Sequence, residues 1–263
     1  MKRLAAFLLL MNCGVSSAHA AIQGKEIDYS AGGTALKGYL VYDDGIKGKR
    51  PGVLVVHEWW GLNDYARYRA KKLAELGYVA LALDMYGEGK QATHPEDAQK
   101  FSSEISQNTT LGKGRFLAAM ELLKKQPQTN PQRIAAIGYC FGGSVVLQMA
   151  REGIPLRGVV SFHGGLDTSH PAQAGAVKAK ILVATGADDP FVPPQQIDRF
   201  KHEMDNAKVD YEFKSYAGAK HSFTNPEADR YGEKFNLPLQ YNPQADQASW
   251  ADMQAFFTKI FRK

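Results

Sequence analysis

Cysteine is scarce in this sequence: Cys13 and Cys140 are the only two among 263 residues. Two thiols cannot build a disulfide framework or a four-thiolate zinc site. Beyond residue 20 the chain also lacks long apolar runs, internal repeats, low-complexity tracts and Lys/Arg clusters interleaved with aromatics. Membrane-spanning, solenoid and nucleic-acid-binding readings therefore lose their usual carriers. What is present is ordinary globular composition, 44% hydrophobic with 13 Phe, 12 Tyr and 3 Trp, enough apolar surface to offset chain entropy.

The one short apolar run lies at the start. Lys2 and Arg3 precede residues 4–11, and small residues follow up to Ala18-His19-Ala20. This is the pattern of a secretory signal peptide with an A-x-A cleavage site, so we expect residues 1–20 to be removed and the mature chain to begin at Ala21. The run is too short to span a bilayer, and Asn12 before Cys13 disfavours a lipoprotein site. Loss of Lys2 and Arg3 takes the formal charge from +5 to +3, which argues for neither nucleic acid nor membrane as partner. A periplasmic or secreted protein is implied, with Cys140 left without an intramolecular partner in an oxidising compartment.

After the leader, short β-branched runs alternate with longer amphipathic stretches. Residues 26–29 and 36–42 flank a Gly32-Gly33 turn and read as an antiparallel hairpin. Strands are expected over 53–57, 78–83, 134–138, 156–162, 181–185 and 211–216. Helices are expected over 65–76, within 88–126, and over 141–151, 193–206 and the C-terminal segment carrying Trp250, Met253, Phe256, Phe257 and Ile260. Residues 223–247, with three prolines and no clear period, read as a long surface loop. The alternation predicts one α/β domain over 21–263, a doubly wound, mostly parallel sheet with helices on both faces. Ligands of such sheets bind beyond the carboxyl ends of the strands.

The elbow is the strongest motif. Gly138-Tyr139-Cys140-Phe141-Gly142 follows a buried strand and opens an apolar helix, which is the G-x-S-x-G nucleophile elbow with thiol for hydroxyl. It aims the Cys140 sulfur over the sheet edge and the Phe141 N–H at a developing oxyanion. An elbow nucleophile needs a base and a carboxylate, in the chain order nucleophile, acid, His. The turn after residue 185 offers Asp188 and Asp189, of which Asp189, in Asp189-Pro190-Phe191, better fits the acid position. Of His57, His94, His163, His170, His202 and His221, only His221 follows both the acid turn and the last strand.

Four ordered segments together resemble the dienelactone hydrolase family, the cysteine-nucleophile branch of the α/β-hydrolases. They are His57-Glu58-Trp59-Trp60-Gly61-Leu62, the Cys140 elbow, the Asp189 turn and Gly218-Ala219-Lys220-His221-Ser222-Phe223. The resemblance implies the α/β-hydrolase fold, a Cys140-His221-Asp189 triad and a second oxyanion donor in the Trp59 N–H. It also implies that Glu58 pairs with the resting thiol and takes part in its activation. Members specific for dienelactones carry two arginines for the substrate carboxylate, and the matching positions here are Glu88 and Asn225, with Lys90 nearby. A substrate other than an anionic dienelactone is therefore expected, with Trp59, Trp60, Tyr86 and Phe223 suggesting an apolar or aromatic acyl or alcohol portion.

The resulting expectation is an ester or lactone hydrolase acting on a small molecule, with no metal or organic cofactor implied. Two other readings fit fewer residues. A thiol redox or peroxide-reducing protein would use Cys140 but has no resolving cysteine. A ligand-binding protein on a hydrolase scaffold leaves His221 and Asp189 without a task.

Overall fold

In the computed structural model, residues 22–262 are described. The expected leader with its expected cleavage site, and Cys13, lie outside them. Strands β1 (Ile22–Ala31) and β2 (Thr34–Asp43) form the hairpin, paired from Ile22 with Asp43 to Ala31 with Thr34. They join β3 (Arg50–Val56), β4 (Val79–Leu83), β5 (Thr129–Tyr139), β6 (Gly158–Phe162), β7 (Lys180–Gly186) and β8 (Tyr211–Tyr216). The eight strands lie in the order β1-β2-β4-β3-β5-β6-β7-β8, antiparallel at the β1/β2 and β2/β4 pairs and parallel elsewhere.

Because side chains alternate across a strand, each central strand feeds two cores. Val53 and Val55 of β3 face α1 (Asp64–Glu75) and the C-terminal helix, meeting Leu73, Phe256 and Phe257. Leu54 and Val56 face the opposite layer, where Phe116, Val146, Phe200 and Met204 pack. All five residues of β4 and of β6 are buried, as sequences without alternation require when both faces are covered.

Two expectations about helices need correction. The stretch 88–126 holds two helices, α2 (Pro95–Gln107) and α3 (Thr109–Lys124), because Asn108 leaves helical geometry and its side chain caps the Leu111 N–H at 3.0 Å. Residues 223–247 are not a loop throughout. They include the eight-residue α6 (Ala228–Phe235) and the first turn of α7 (Pro243–Ile260). The partner of α6 lies far away in sequence: Tyr231 and Phe235 stack on Trp60 with ring centroids 4.5 and 5.8 Å apart. The remaining helices are α4 (Phe141–Arg151) and α5 (Pro194–Asn206). Among the described residues no helix is long and apolar enough to cross a membrane.

Candidate active site

Parallel β3, β5, β6, β7 and β8 end on one edge of the sheet, and the loops that follow them carry the candidate residues. The turn from β5 into α4 is tight enough to dictate its sequence. A Cβ on Gly138 would lie 2.0 Å from the Gly142 carbonyl oxygen, and one on Gly142 would lie 2.4 Å from that of Val56. Between these glycines Cys140 is held at φ 51°, ψ −117°, a strained backbone for a side-chain-bearing residue. The strain points the sulfur into an open cavity, and the Phe141 N–H, first of α4, has no intrahelical acceptor.

His221 follows β8 and is buried; its Nε2 lies 3.1 Å from Cys140 Sγ and its Nδ1 2.8 Å from Asp189 Oδ2. Asp189 Oδ1 accepts the Phe191 N–H at 2.9 Å, which fixes the carboxylate, while Asp188 is exposed. Burial alone lowers a histidine pKa, yet here the negative charge on Cys140 and the Asp189 hydrogen bond outweigh it and push His221 up to about 10. Such an environment stabilises a proton taken up by the imidazole.

Glu58 departs from what the resemblance implies. It is buried in the loop after β3, and its carboxylate accepts from Ser222 Oγ at 3.0 Å and Asn225 Nδ2 at 2.7 Å. No hydrogen bond joins it to Cys140, whose sulfur is engaged by His221. Asn225, which the resemblance places where dienelactone-specific members carry an arginine, donates to Glu58, so the carboxylate's hydrogen bonds run to residues 222–225. Burial raises the Glu58 pKa, against the two hydrogen bonds that lower it. Neighbouring His57 is buried and its pKa lowered by desolvation; its Nε2 accepts the Met85 N–H at 3.2 Å, so Nδ1 donates to the Glu58 carbonyl at 2.5 Å. Trp59 presents an unpaired N–H on the same loop, and Trp59, Cys140, Phe141 and His221 all line the cavity.

That cavity has a volume of about 390 Å³, with Phe191, Leu237 and Leu239 on one side and Ser102, Ser103 and Ser106 of α2 on the other. Trp60, Tyr86 and Phe223, expected as substrate contacts, do not line it. All three are buried and serve its frame instead. Trp60 seats α6, Tyr86 Oη donates to the Trp59 carbonyl at 2.9 Å, and Phe223 packs edge-on beneath His163 with ring centroids 5.3 Å apart. Half-exposed Phe191 takes the role of an aromatic wall, its ring 4.9 Å from that of His221. Glu88, at the other expected arginine position, is exposed and pairs with Lys90 at 3.1 Å.

Sequence reasoning missed a buried polar chain behind the site. His163, at φ 40° after β6, accepts the Cys140 N–H at Nδ1 (3.1 Å), so its Nε2 donates to Thr224 Oγ1 at 2.7 Å. Burial holds the His163 pKa well below the ordinary value, and the ring is neutral. Thr224 also meets the Tyr65 hydroxyl at 2.6 Å, and Tyr65 accepts from Arg69 Nε at 3.1 Å. Buried Arg69 further donates to the Thr224 carbonyl and to Asp246 Oδ1, the latter at 2.6 Å. Residues 221–225, which carry the base and both clamps on Glu58, are thereby tied to α1 and α7. The available sequence signal was a histidine ending a strand, set aside because it precedes the acid turn. Among the described residues no three His, Cys, Asp or Glu side chains converge as metal ligands.

With this geometry in view, comparison with known proteins is specific. Residues 36–261 match the model of the dienelactone hydrolase family. The protein usf of Aquifex pyrophilus is 28% identical over 239 residues, covering 89% of this chain and 97% of that one. A carboxymethylenebutenolidase of Pseudomonas putida is 28% identical over 153 residues, covering 56% of this chain and 64% of its own. Among solved structures, a dienelactone hydrolase-like promiscuous phosphotriesterase from metagenomic libraries superposes with a TM-score of 0.86 at 36% identity, over 92% of this chain and all of the other.

Proposed function

The chain belongs to the dienelactone hydrolase family, and from that premise we propose that it hydrolyses an uncharged ester or lactone through a thioester on Cys140. The observation that carries this reading is His221 spanning Cys140 Sγ and Asp189 Oδ2 at 3.1 and 2.8 Å on the wall of a 390 Å³ cavity. His221 Nε2 takes the proton of Cys140, whose Sγ attacks the acyl carbon, and the carbonyl oxygen takes up negative charge facing the N–H groups of Phe141 and Trp59. Each such donor contributes about 10²–10³ in rate in comparable sites. The tetrahedral intermediate collapses with cleavage of the C–O bond, and the His221 Nε2 proton passes to the departing alkoxide. His221 then takes a proton from water, the hydroxide attacks the thioester, and Cys140 leaves as thiolate. Asp189 keeps Nδ1–H as the tautomer that leaves Nε2 facing the sulfur.

Among the described residues no Lys or Arg lines the cavity, and Asn225 and Glu88 stand where carboxylate-binding arginines would be, which supports a substrate without a carboxylate to be gripped. The signal-like pattern of residues 2–20 supports action outside the cytoplasm. Purified protein assayed on a panel of activated esters and lactones, with intact mass after rapid quench, tests the mechanism. The expected result is an acyl adduct on Cys140 and loss of turnover in a folded Cys140→Ala variant; undiminished turnover in that variant refutes it. The mass of protein recovered from the periplasm tests cleavage before Ala21.

A further inference from the structure

Beside the catalytic cavity lies a second one of about 310 Å³, between α2, α3, α4 and residues 167–170. Ser106 and Ser144 line both, so the two form one groove. Their chemistry differs in degree. The catalytic half sets Trp59, Phe191 and Leu239 against the serines of α2, whereas in the second half Gln148, Thr168 and Thr109 bring amide and hydroxyl groups beside Val145 and Met149.

Charge in the second half is already neutralised. Arg151 is buried and forks onto Glu203 through two bonds of 2.8 Å, and its remaining reach goes to the Leu166 carbonyl at 2.7 Å. Asp167 is gripped by Arg199 through bonds of 3.0 and 2.6 Å. Apart from His170, whose Nδ1 meets Ser169 Oγ at 3.0 Å, an anionic or cationic group entering here would find each charge on the wall already paired. A hydroxyl-bearing group would find Gln148, whose Oε1 accepts from Thr168 Oγ1 at 2.8 Å and whose Nε2 makes only a long 3.3 Å contact to Glu152. Amide and hydroxyl partners of this kind exchange hydrogen bonds with an incoming hydroxyl without leaving a charge exposed.

Resting on the ester or lactone reading, we propose that this second cavity is a subsite for a neutral, polyhydroxylated arm of the substrate. The scissile carbonyl with its apolar neighbour then occupies the catalytic half. Helix geometry sets the reach: Gln148 lies eight residues beyond Cys140 on α4, so at 1.5 Å per residue the arm extends roughly 12 Å from the nucleophile. A lone acetyl ester or simple lactone leaves the second half to water.

The test uses two matched series of esters. In one, an aryl ester's acyl chain of about six carbons ends in a glucosyl or a methyl group. In the other, an acetate carries the same alternatives on its alcohol. Wild-type protein is expected to prefer the glucosyl member of one series by about tenfold in kcat/KM, the worth of one or two neutral hydrogen bonds. The Gln148→Leu/Thr168→Val double variant removes both members of an existing hydrogen bond and keeps the volume. In it the glucosyl-to-methyl ratio is expected to fall to about one. No preference in either series, or a preference that survives the double variant, overturns the subsite. Failure of wild-type protein to turn over any member, including the methyl-terminated ones, overturns the hydrolase reading itself.

Discussion

Replacing Arg69 by methionine would test how the catalytic loop is held. Arg69 is buried, and its removal takes a donor from three partners at once: Asp246 at 2.6 Å, the Thr224 carbonyl, and the Tyr65 hydroxyl at 3.1 Å, of which Tyr65 keeps its bond to Thr224 Oγ1. Breaking a buried ion pair by deleting one member costs about 3–5 kcal/mol. The Asp246 side chain retains 16% exposure, so water rehydrates part of it and the lower end, about 3 kcal/mol, is expected. For a domain of this size that is a fall of about 6–12 °C in Tm. Urea unfolding followed by circular dichroism should show a lower midpoint at unchanged m-value. In the double variant Arg69→Met/Asp246→Leu the stranded carboxylate is gone, and about 1–2 kcal/mol should return. Assayed well below its Tm, Arg69→Met should also lose about tenfold in kcat, because Thr224 lies between Ser222 and Asn225 and its anchor fixes His221. A single variant costing under about 1 kcal/mol, or a double variant no better than the single, would refute the energetic argument. Lost stability at full kcat would refute the positioning argument.

Glu58→Gln should alter the pH dependence of stability. Burial raises the folded pKa above the ordinary 4.5, so the native state holds this proton more tightly than the unfolded chain. That contribution is full below the unfolded value and is lost as pH rises through the folded one, so wild-type stability should fall against the variant's from about pH 4 upward in urea titrations. Because Glu58 contacts Ser222 and Asn225, the same variant should leave the rate of Cys140 alkylation by iodoacetamide unchanged within about twofold. Asp189→Asn should lower kcat by about 10²–10⁴ through the wrong imidazole tautomer, with the unfolding midpoint moving far less. Gly142→Ala should cost at least about 1–3 kcal/mol and most activity, since its Cβ would press on the Val56 and His57 carbonyl oxygens at 2.4 and 2.6 Å; a midpoint within 0.5 kcal/mol of wild type would contradict the elbow geometry.

Local and periodic features were legible in the sequence, and distant pairings were not. The hairpin, the fully buried strands and the elbow are written in neighbouring residues: a turn glycine, an unbroken apolar run, a glycine two residues to either side of Cys140. Asp189 and His221 could be placed because a doubly wound sheet puts successive loops on one edge. Helix α6 escaped notice because its apolar residues pack on Trp60, some 170 positions away, and eight residues show too little period to register. Trp60, Tyr86 and Phe223 resemble substrate contacts because they are aromatics at loop ends near the site, yet sequence does not say which way a ring turns. The clamp on Glu58 was half visible: the missing arginine was noted, but not that Asn225 in its place would bind the carboxylate. His163, Thr224 and Arg69 carry no motif, since their link is made across the fold.

The sequence separations in this site have a consequence for how the protein acquires its reactivity. His221 lies 81 residues from Cys140, Ser222 lies 164 from Glu58, and Asp246 lies 177 from Arg69. Closing loops of that length postpones their contacts until much of the sheet exists, because each must first be offset by chain already ordered. A growing chain that has emerged only through α4 carries the nucleophile but neither the imidazole nor the carboxylate that equip it. Its cysteine lacks both, and its equipment waits for the chain through His221 and, by way of Arg69, for α7. Recovery of turnover during refolding therefore reports assembly of the whole domain, not formation of the elbow alone.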